Sequence, residues 1–252
     1  MKRNISLTLM YDGSRFHGWQ MQENAETVQG CLSKALERIL GHKVTIYGCS
    51  RTDCGVHANT FRCNFRTDKE TPCEKIKVGV NALIPESIAV LYAEEMEEGF
   101  NSRFDCKGKE YVYKVWNSRV RNPFLADRAL HHPIKIDEKL LDSESKAFIG
   151  YHDFSAFCAS GTEVQDKRRT VFDFSVRREG DLVLFTVRGD GFLYNMVRIM
   201  VGTLLDINSG KIPANTLADI IESKDRVRAG VTAKPCGLYL NRVFYGEDVN
   251  EI

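Results

Sequence analysis

Residues 49–66 read CSRTDCGVHANTFRCNFR. The stretch admits two structures. As a metal knuckle, Cys49, Cys54, His57 and Cys63 give C-x4-C-x2-H-x5-C, and zinc accepts three cysteines with one histidine. As a loop leading into a strand, Phe61, Cys63 and Phe65 alternate with Arg62, Asn64 and Arg66, so the apolar three share one face of a sheet. Structural zinc sites pair their ligands on tight turns, and no second pair lies nearby. Cys63 fits better as a small apolar filler beside Phe61 and Phe65. A strand is therefore expected here, and no metal.

The pattern extends in both directions. Upstream, Ile5, Leu7, Leu9 and Tyr11 alternate with Ser6, Thr8 and Met10, which predicts a strand. Val28, Cys31, Leu32, Ala35, Leu36, Ile39 and Leu40 form a helical stripe that Gly41 stops. Val44 and Ile46 predict a short strand. Downstream come a helix over 74–83, closed by Pro85, and a strand over 88–95. The order is β-α-β-β-α-β, a split βαβ of ferredoxin-like type. It then repeats loosely. Strands are predicted at 110–116, 171–177, 182–188 and 238–244, the middle two around a Glu-Gly-Asp hairpin turn. Helices are predicted at 137–149, 193–207 and 213–223. The expected class is α+β. Two similar halves, 1–105 and 106–252, are expected to merge their strands into one central mixed, mostly antiparallel sheet with a cleft.

The bulk properties are those of an ordinary globular chain: 252 residues, 43% hydrophobic and 27% charged. No run approaches a membrane span, and the opening MKRNISLTLMYDG lacks a signal-peptide core. A cytoplasmic protein is expected. Eight cysteines without a C-x-x-C pair are weak evidence for disulfides in that setting. The net charge of +1 gives no global argument for a polyanion. The distribution is more informative: Lys167, Arg168 and Arg169 form a basic run suited to RNA phosphates, while EEMEE at 94–98 is acidic.

Arg51 and Asp53 sit between two strands, where an α+β sheet presents side chains to a ligand. A neighbouring arginine keeps a carboxylate ionised, and an ionised carboxylate in a partly dry cleft can act as base or nucleophile. The same Asp also suits a plain Asx turn. Tyr111 and Tyr113 share one face of their strand, fit either to stack on an RNA base or to fill the core. Arg198 lies inside an otherwise apolar helix, where an unpaired charge is costly. It should meet a carboxylate, and Asp53 is the candidate.

The motifs taken together resemble the tRNA pseudouridine synthases of the TruA type. They are YDGSRFHGWQ (11–20), SRTDCGVHA (50–58), VNALIP (80–85), FNSRFDCKGKEYVYKV (100–115), GDGFLYNMVRIMVGTL (189–204) and VTAKPCGLYL (231–240). The resemblance implies an isomerase that converts uridine to pseudouridine in the anticodon arm of tRNA, positions 38–40. It implies a homodimer working on tRNA, without a cofactor or metal. It makes Asp53 the catalytic aspartate, Tyr111 the tyrosine that meets the base, Arg198 the partner of the carboxylate, and Arg51 the motif arginine near the flipped nucleotide. Leu238 is expected to line the pocket. The chain departs from the family's commoner residues at Ser50, Cys54 and Asn195, which bears on the target position, so a paralogue modifying another RNA site is the alternative. A non-catalytic RNA-binding module is the rival from another class, and no RNP1-like run supports it.

Overall fold

The computed structural model describes residues 2–162 and 164–246. They form two compact units. One comprises the residues up to Lys107 with those from Tyr239 onward, and the other runs from Gly108 to Leu238.

The first unit contains β1 (Arg3–Tyr11), α1 (Val28–Leu40), β2 (Ile46–Gly48), β3 (His57–Thr67), α2 (Cys73–Asn81) and β4 (Ile88–Met96). This is the β-α-β-β-α-β order read from the sequence. The strands run β4-β1-β3, with β2 also on β3, all antiparallel. Ile5 faces Phe65, Leu7 faces Cys63 and Leu9 faces Phe61, and all six are fully buried. Each larger side chain so buried contributes roughly 1.5–3 kcal/mol. Cys63 thus belongs to the core, and burial pushes its thiol well above the usual range. The helix α1 begins where Thr27 Oγ1 accepts the Gly30 amide at 3.2 Å. It ends at Gly41, whose φ of 77° an L side chain rarely adopts.

The opposite face of this sheet is polar yet largely covered. Asn4 Nδ2 donates to the carbonyls of Glu97 and Phe100, both at 2.9 Å. Asn64 Nδ2 donates to Asn4 Oδ1 at 2.9 Å, and the Ser102 amide donates to Asn64 Oδ1 at 2.9 Å. The Arg62 guanidinium lies over the rings of Phe100 and Tyr245, 5.2 and 4.9 Å from their centroids. The asparagines are buried because the segment after β4 satisfies them.

The second unit contains β5 (Gly108–Trp116), β6 (Leu130–His131), α3 (Glu138–Ser145), β7 (Gly150–Asp153), β8 (Arg168–Glu179), β9 (Leu182–Gly189), α4 (Met196–Asn208) and α5 (Leu217–Ser223). The strands run β5-β9-β8-β7, and β6 pairs with β5. The β8–β9 hairpin turns at Gly180, φ 61°. An aromatic cluster fills the core, with Phe148 5.0 Å from Phe157 and 5.5 Å from Phe174. The helix predicted over 137–149 is shorter, because α3 gives way to a 3-10 turn at Lys146–Phe148. There Lys146 Nζ is drawn to the Phe174 carbonyl at 2.8 Å.

The last strand, β10 (Leu238–Phe244), pairs in parallel with β3 through Tyr239–His57 and Leu240–Ala58. The units therefore divide after Lys107 and again after Leu238, where the sequence reading drew one boundary at 105/106. Among the described residues no helix is long and apolar enough to cross a membrane.

Candidate active site

In the first unit the candidate residues Arg51 and Asp53 lie in the loop between β2 and β3. Asp53 is half-buried in it, with Thr52 and Val56 buried to either side and Arg51 exposed. The loop is clamped by the segment after β1. The Trp19 amide donates to the Thr52 carbonyl at 3.1 Å, and the Gly55 amide to the Phe16 carbonyl at 3.2 Å. The hydroxyls of Tyr11 and Thr52 are 2.9 Å apart. Two glycines make the close approach possible. A Cβ on Gly13 would stand 1.9 Å from the Val56 carbonyl oxygen, and one on Gly18, at φ 85°, 2.4 Å from that of Thr52. The backbone around Asp53 is thus held in place, and the residue itself is half-buried.

The motif histidine is structural. His57 Nδ1 accepts the Gly13 amide at 3.1 Å and lies 3.2 Å from Asp12 Oδ1. Its buried ring stacks on Tyr239 at 4.5 Å. Cys54 is exposed while Cys49 and Cys63 are buried. Among the described residues no group of three or more His, Cys, Asp or Glu side chains is placed to hold a metal ion.

In the second unit the candidate residues Tyr111 and Arg198 lie on β5 and α4. Tyr111 is buried, its ring edge-on to Phe192 at 5.2 Å. Tyr113 is fully buried and donates its hydroxyl to the Lys234 carbonyl at 2.6 Å, and burial pushes its phenol above the usual range. Both tyrosines are thus buried, Tyr113 completely. Leu238 is buried, directly after Gly237, where a Cβ would meet the Lys114 carbonyl oxygen and the Tyr113 ring at 2.7 Å.

Arg198 is half-buried on α4, with apolar neighbours buried on both sides. Its Nε donates to the Ala233 carbonyl at 2.8 Å and its Nη1 to Asn195 Oδ1 at 2.6 Å. The Ala233 amide returns a bond to the Arg198 carbonyl at 3.1 Å. The strap 230–234 is pressed onto α4 at Gly202, where a Cβ would stand 1.8 Å from the Val231 carbonyl oxygen. Asn195, at φ 60°, is the left-handed N-cap of α4, a conformation asparagine tolerates better than most residues. The roles of Gly13, Gly18 and Asn195 were not read from the sequence, because each depends on a neighbour brought close only by folding or on a backbone angle. The glycines inside YDGSRFHGWQ were the available signal.

The basic run is partly self-compensated. Arg168 holds Asp166 through Nε–Oδ1 at 2.9 Å and Nη2–Oδ2 at 3.0 Å, which depresses the Asp166 carboxyl to about 2. Arg169 Nη1 donates to the carbonyls of Asp166 and Arg168 at 3.0 and 2.6 Å. Lys167 is half-buried.

The family model for tRNA pseudouridine synthase matches residues 8–105 and 145–246, which include the loop of Asp53 and all of α4. Among the relatives that bear the name tRNA pseudouridine synthase A are those of Acetivibrio thermocellus and Brachyspira hyodysenteriae. That of Acetivibrio thermocellus is 43% identical over 243 residues, 96% of this chain and 100% of its own length. That of Brachyspira hyodysenteriae is 42% identical over 247 residues, 97% and 99% of the two chains. A tRNA pseudouridine synthase A 2 of Clostridium tetani is 41% identical over 247 residues, 97% and 100%. The resemblance carried by the motifs thus holds along nearly the whole length, and the chain belongs to the tRNA pseudouridine synthase family.

Proposed function

We propose that this chain isomerises uridine to pseudouridine in the anticodon arm of tRNA, with Asp53 as the catalytic carboxylate. The observation that carries the residue assignment is the clamped loop: its backbone is locked by Gly13 and Gly18 while Asp53 stays half-exposed. Rigid support of a reacting group is what positioning requires. The reaction breaks the N1–C1′ bond, turns the uracil, and forms a C5–C1′ bond. The hydrogen on C5 leaves as a proton and N1 gains one, so no electron donor or acceptor is needed. Asp53 serves as nucleophile or base and must be ionised for either role. Pairing with Arg198 is the means proposed for keeping it so.

A uridine within a stem must first leave its stack, at a cost of a few kcal/mol. Tyr111 offsets part of that cost by meeting the base. Leu238 lines the pocket that retains the detached uracil, and Arg51 contacts the flipped nucleotide. Lys167, Arg168 and Arg169 serve the phosphates. A homodimer acting in the cytoplasm belongs to the same reading.

The decisive measurement is tritium release from tRNA labelled at uracil C5, after exhaustive chelation. Release at the rate of the untreated protein supports the isomerase. No release from any tRNA leaves the rival, a non-catalytic RNA-binding module.

A further inference from the structure

We infer that a second RNA-phosphate site lies at the end of β3 remote from Asp53, lined by Lys2, His42, Lys43, Tyr47 and Arg66. It takes the backbone of the same RNA outside the arm that holds the reacting uridine. The inference rests on the tRNA reading above for the identity of the ligand only.

The site is a concavity of about 350 Å³, within the range of small-ligand pockets. It is built from the chain before β1, the turn between α1 and β2, and the end of β3. Elsewhere on the sheet Arg3 pairs with Glu95 and Arg62 with Glu94. Among the described residues, Lys2, Lys43 and Arg66 pair with no carboxylate, although all three are exposed. Arg66 gives one N–H to the Glu98 carbonyl at 2.7 Å, which fixes its direction without neutralising it. The one acid in the lining, Asp68, faces His42, with Oδ1 3.8 Å from Nε2. Three uncompensated cations around one hollow raise the local potential where an anion can enter.

An aromatic ring stands beside them. Tyr47 pairs with Asn64 across the β2–β3 ladder, so it shares the sheet face of Arg66 two residues on. Its side chain is 43% exposed, open for a base to stack on. Cations that track a backbone next to an aromatic platform suit nucleic acid better than a free anion. The position sets what is contacted. β3 runs ten residue steps from His57, next to the catalytic loop, to Thr67 at the hollow. At about 3.3 Å per step this is roughly 33 Å, too far for the nucleotides flanking the reacting uridine.

The test uses the variant Lys2→Gln/Lys43→Gln/Arg66→Gln on the full chain, with binding to whole tRNA and to an isolated anticodon stem-loop followed across salt concentrations. For whole tRNA the slope of log K against log salt should flatten by roughly 2–3, since each phosphate contact contributes about 0.9. For the stem-loop it should not change, and kcat at saturating tRNA should equal that of wild type. Tyr47→Ala should weaken whole-tRNA binding about fivefold or more and leave the slope unaltered. Equal losses on both RNAs, or none on either, overturn the proposal. So does an unchanged tRNA slope with a loss of inorganic-phosphate binding by calorimetry, which would mark a free-anion site. Because binding is read apart from tritium release, failure of the isomerase reading stays distinguishable from failure of this one.

Discussion

Asn195 Oδ1 accepts Nη1 of Arg198 at 2.6 Å, and Asn195 does so from a left-handed backbone, φ 60°. The two facts make separable demands. Asn195→Gly keeps the backbone at ease and removes the brace, whereas Asn195→Ala loses both. Asn195→Ala should therefore be less stable than Asn195→Gly by about 1 kcal/mol in denaturant unfolding. Both should lose about 10–100-fold in kcat if the charge-assisted bond, worth roughly 1.5–3 kcal/mol, orients Arg198 in the reaction. Equal stabilities would show that the left-handed cap carries no strain. Full activity in both would show that Ala233 alone orients the guanidinium.

The clamp on the Asp53 loop predicts a contrast between two glycines of similar φ. Gly41, at 77°, has no atom within 4 Å of a built Cβ, whereas Gly18, at 85°, has the Thr52 carbonyl oxygen at 2.4 Å. Gly41→Ala should cost only the conformational term, about 1–2 kcal/mol, with kcat unchanged. Gly18→Ala should cost more and also push the loop. A displacement near 1 Å at a reacting group costs about 100-fold, so kcat should fall by that order at temperatures where the variant is folded. Equal kinetics for the two variants would dissociate the clamp from catalysis.

Acid should weaken the second unit through Asp142. Burial by itself raises this carboxyl. The Val176 amide at 2.8 Å and Lys146 Nζ at 3.0 Å on Oδ1 outweigh it, and the net shift is downward. A folded-state pKa below the unfolded one gives stability that is present above the unfolded value, about 3.9, and lost as pH falls through the folded value. Asp142→Asn should thus be destabilised at pH 7, and its deficit should narrow below about pH 4. A deficit independent of pH would assign the effect to packing.

The basic run gives a salt prediction. Changing Lys167, Arg168 and Arg169 together to Ala should flatten the log K against log salt slope for tRNA by up to about 2.7. The bond to Asp166 must be exchanged for a phosphate when Arg168 binds, so Arg168→Ala alone should move the slope least of the three. An unchanged slope in the triple variant would place the RNA footprint elsewhere.

How far the sequence could be read follows from the range of each interaction. β1, α1 and β3 were legible because alternation, a helical stripe and the stop at Gly41 are local signals. β6 and β7 span two and four residues, too few to show a period. The helix predicted from 193 begins at Met196, because Asn195 adopts the left-handed turn without a glycine to announce it. The one predicted from 213 begins at Leu217. The strand placed on Val44 and Ile46 is Ile46–Gly48. Alternation separated the two faces of β3 but not what covers Asn64, since Phe100 and Ser102 lie far along the chain. The motif singled out Asp53 as the candidate; the glycines that hold its loop required the folded contact.

The proposed pairing of Asp53 with Arg198 is the step on which the mechanism depends, and four proteins test it. Asp53→Asn keeps the size and removes the charge, so turnover should vanish while tRNA binding stays within a few-fold. Arg198→Met removes the cation, which raises the carboxyl pKa; the acid limb of the pH–rate profile should therefore move to higher pH. Arg198→Lys keeps the charge but cannot hold Ala233, Asn195 and a carboxylate through one planar fork, so it should restore only part of the activity. The double variant Asp53→Asn/Arg198→Met should be more stable than Arg198→Met alone, because no lone carboxylate is left in a half-buried site. Denaturant unfolding of wild type, Asp53→Asn, Arg198→Met and the double variant gives the coupling directly. Coupling near zero, with single effects that simply add, would show that the two side chains do not interact and that another cation keeps Asp53 ionised.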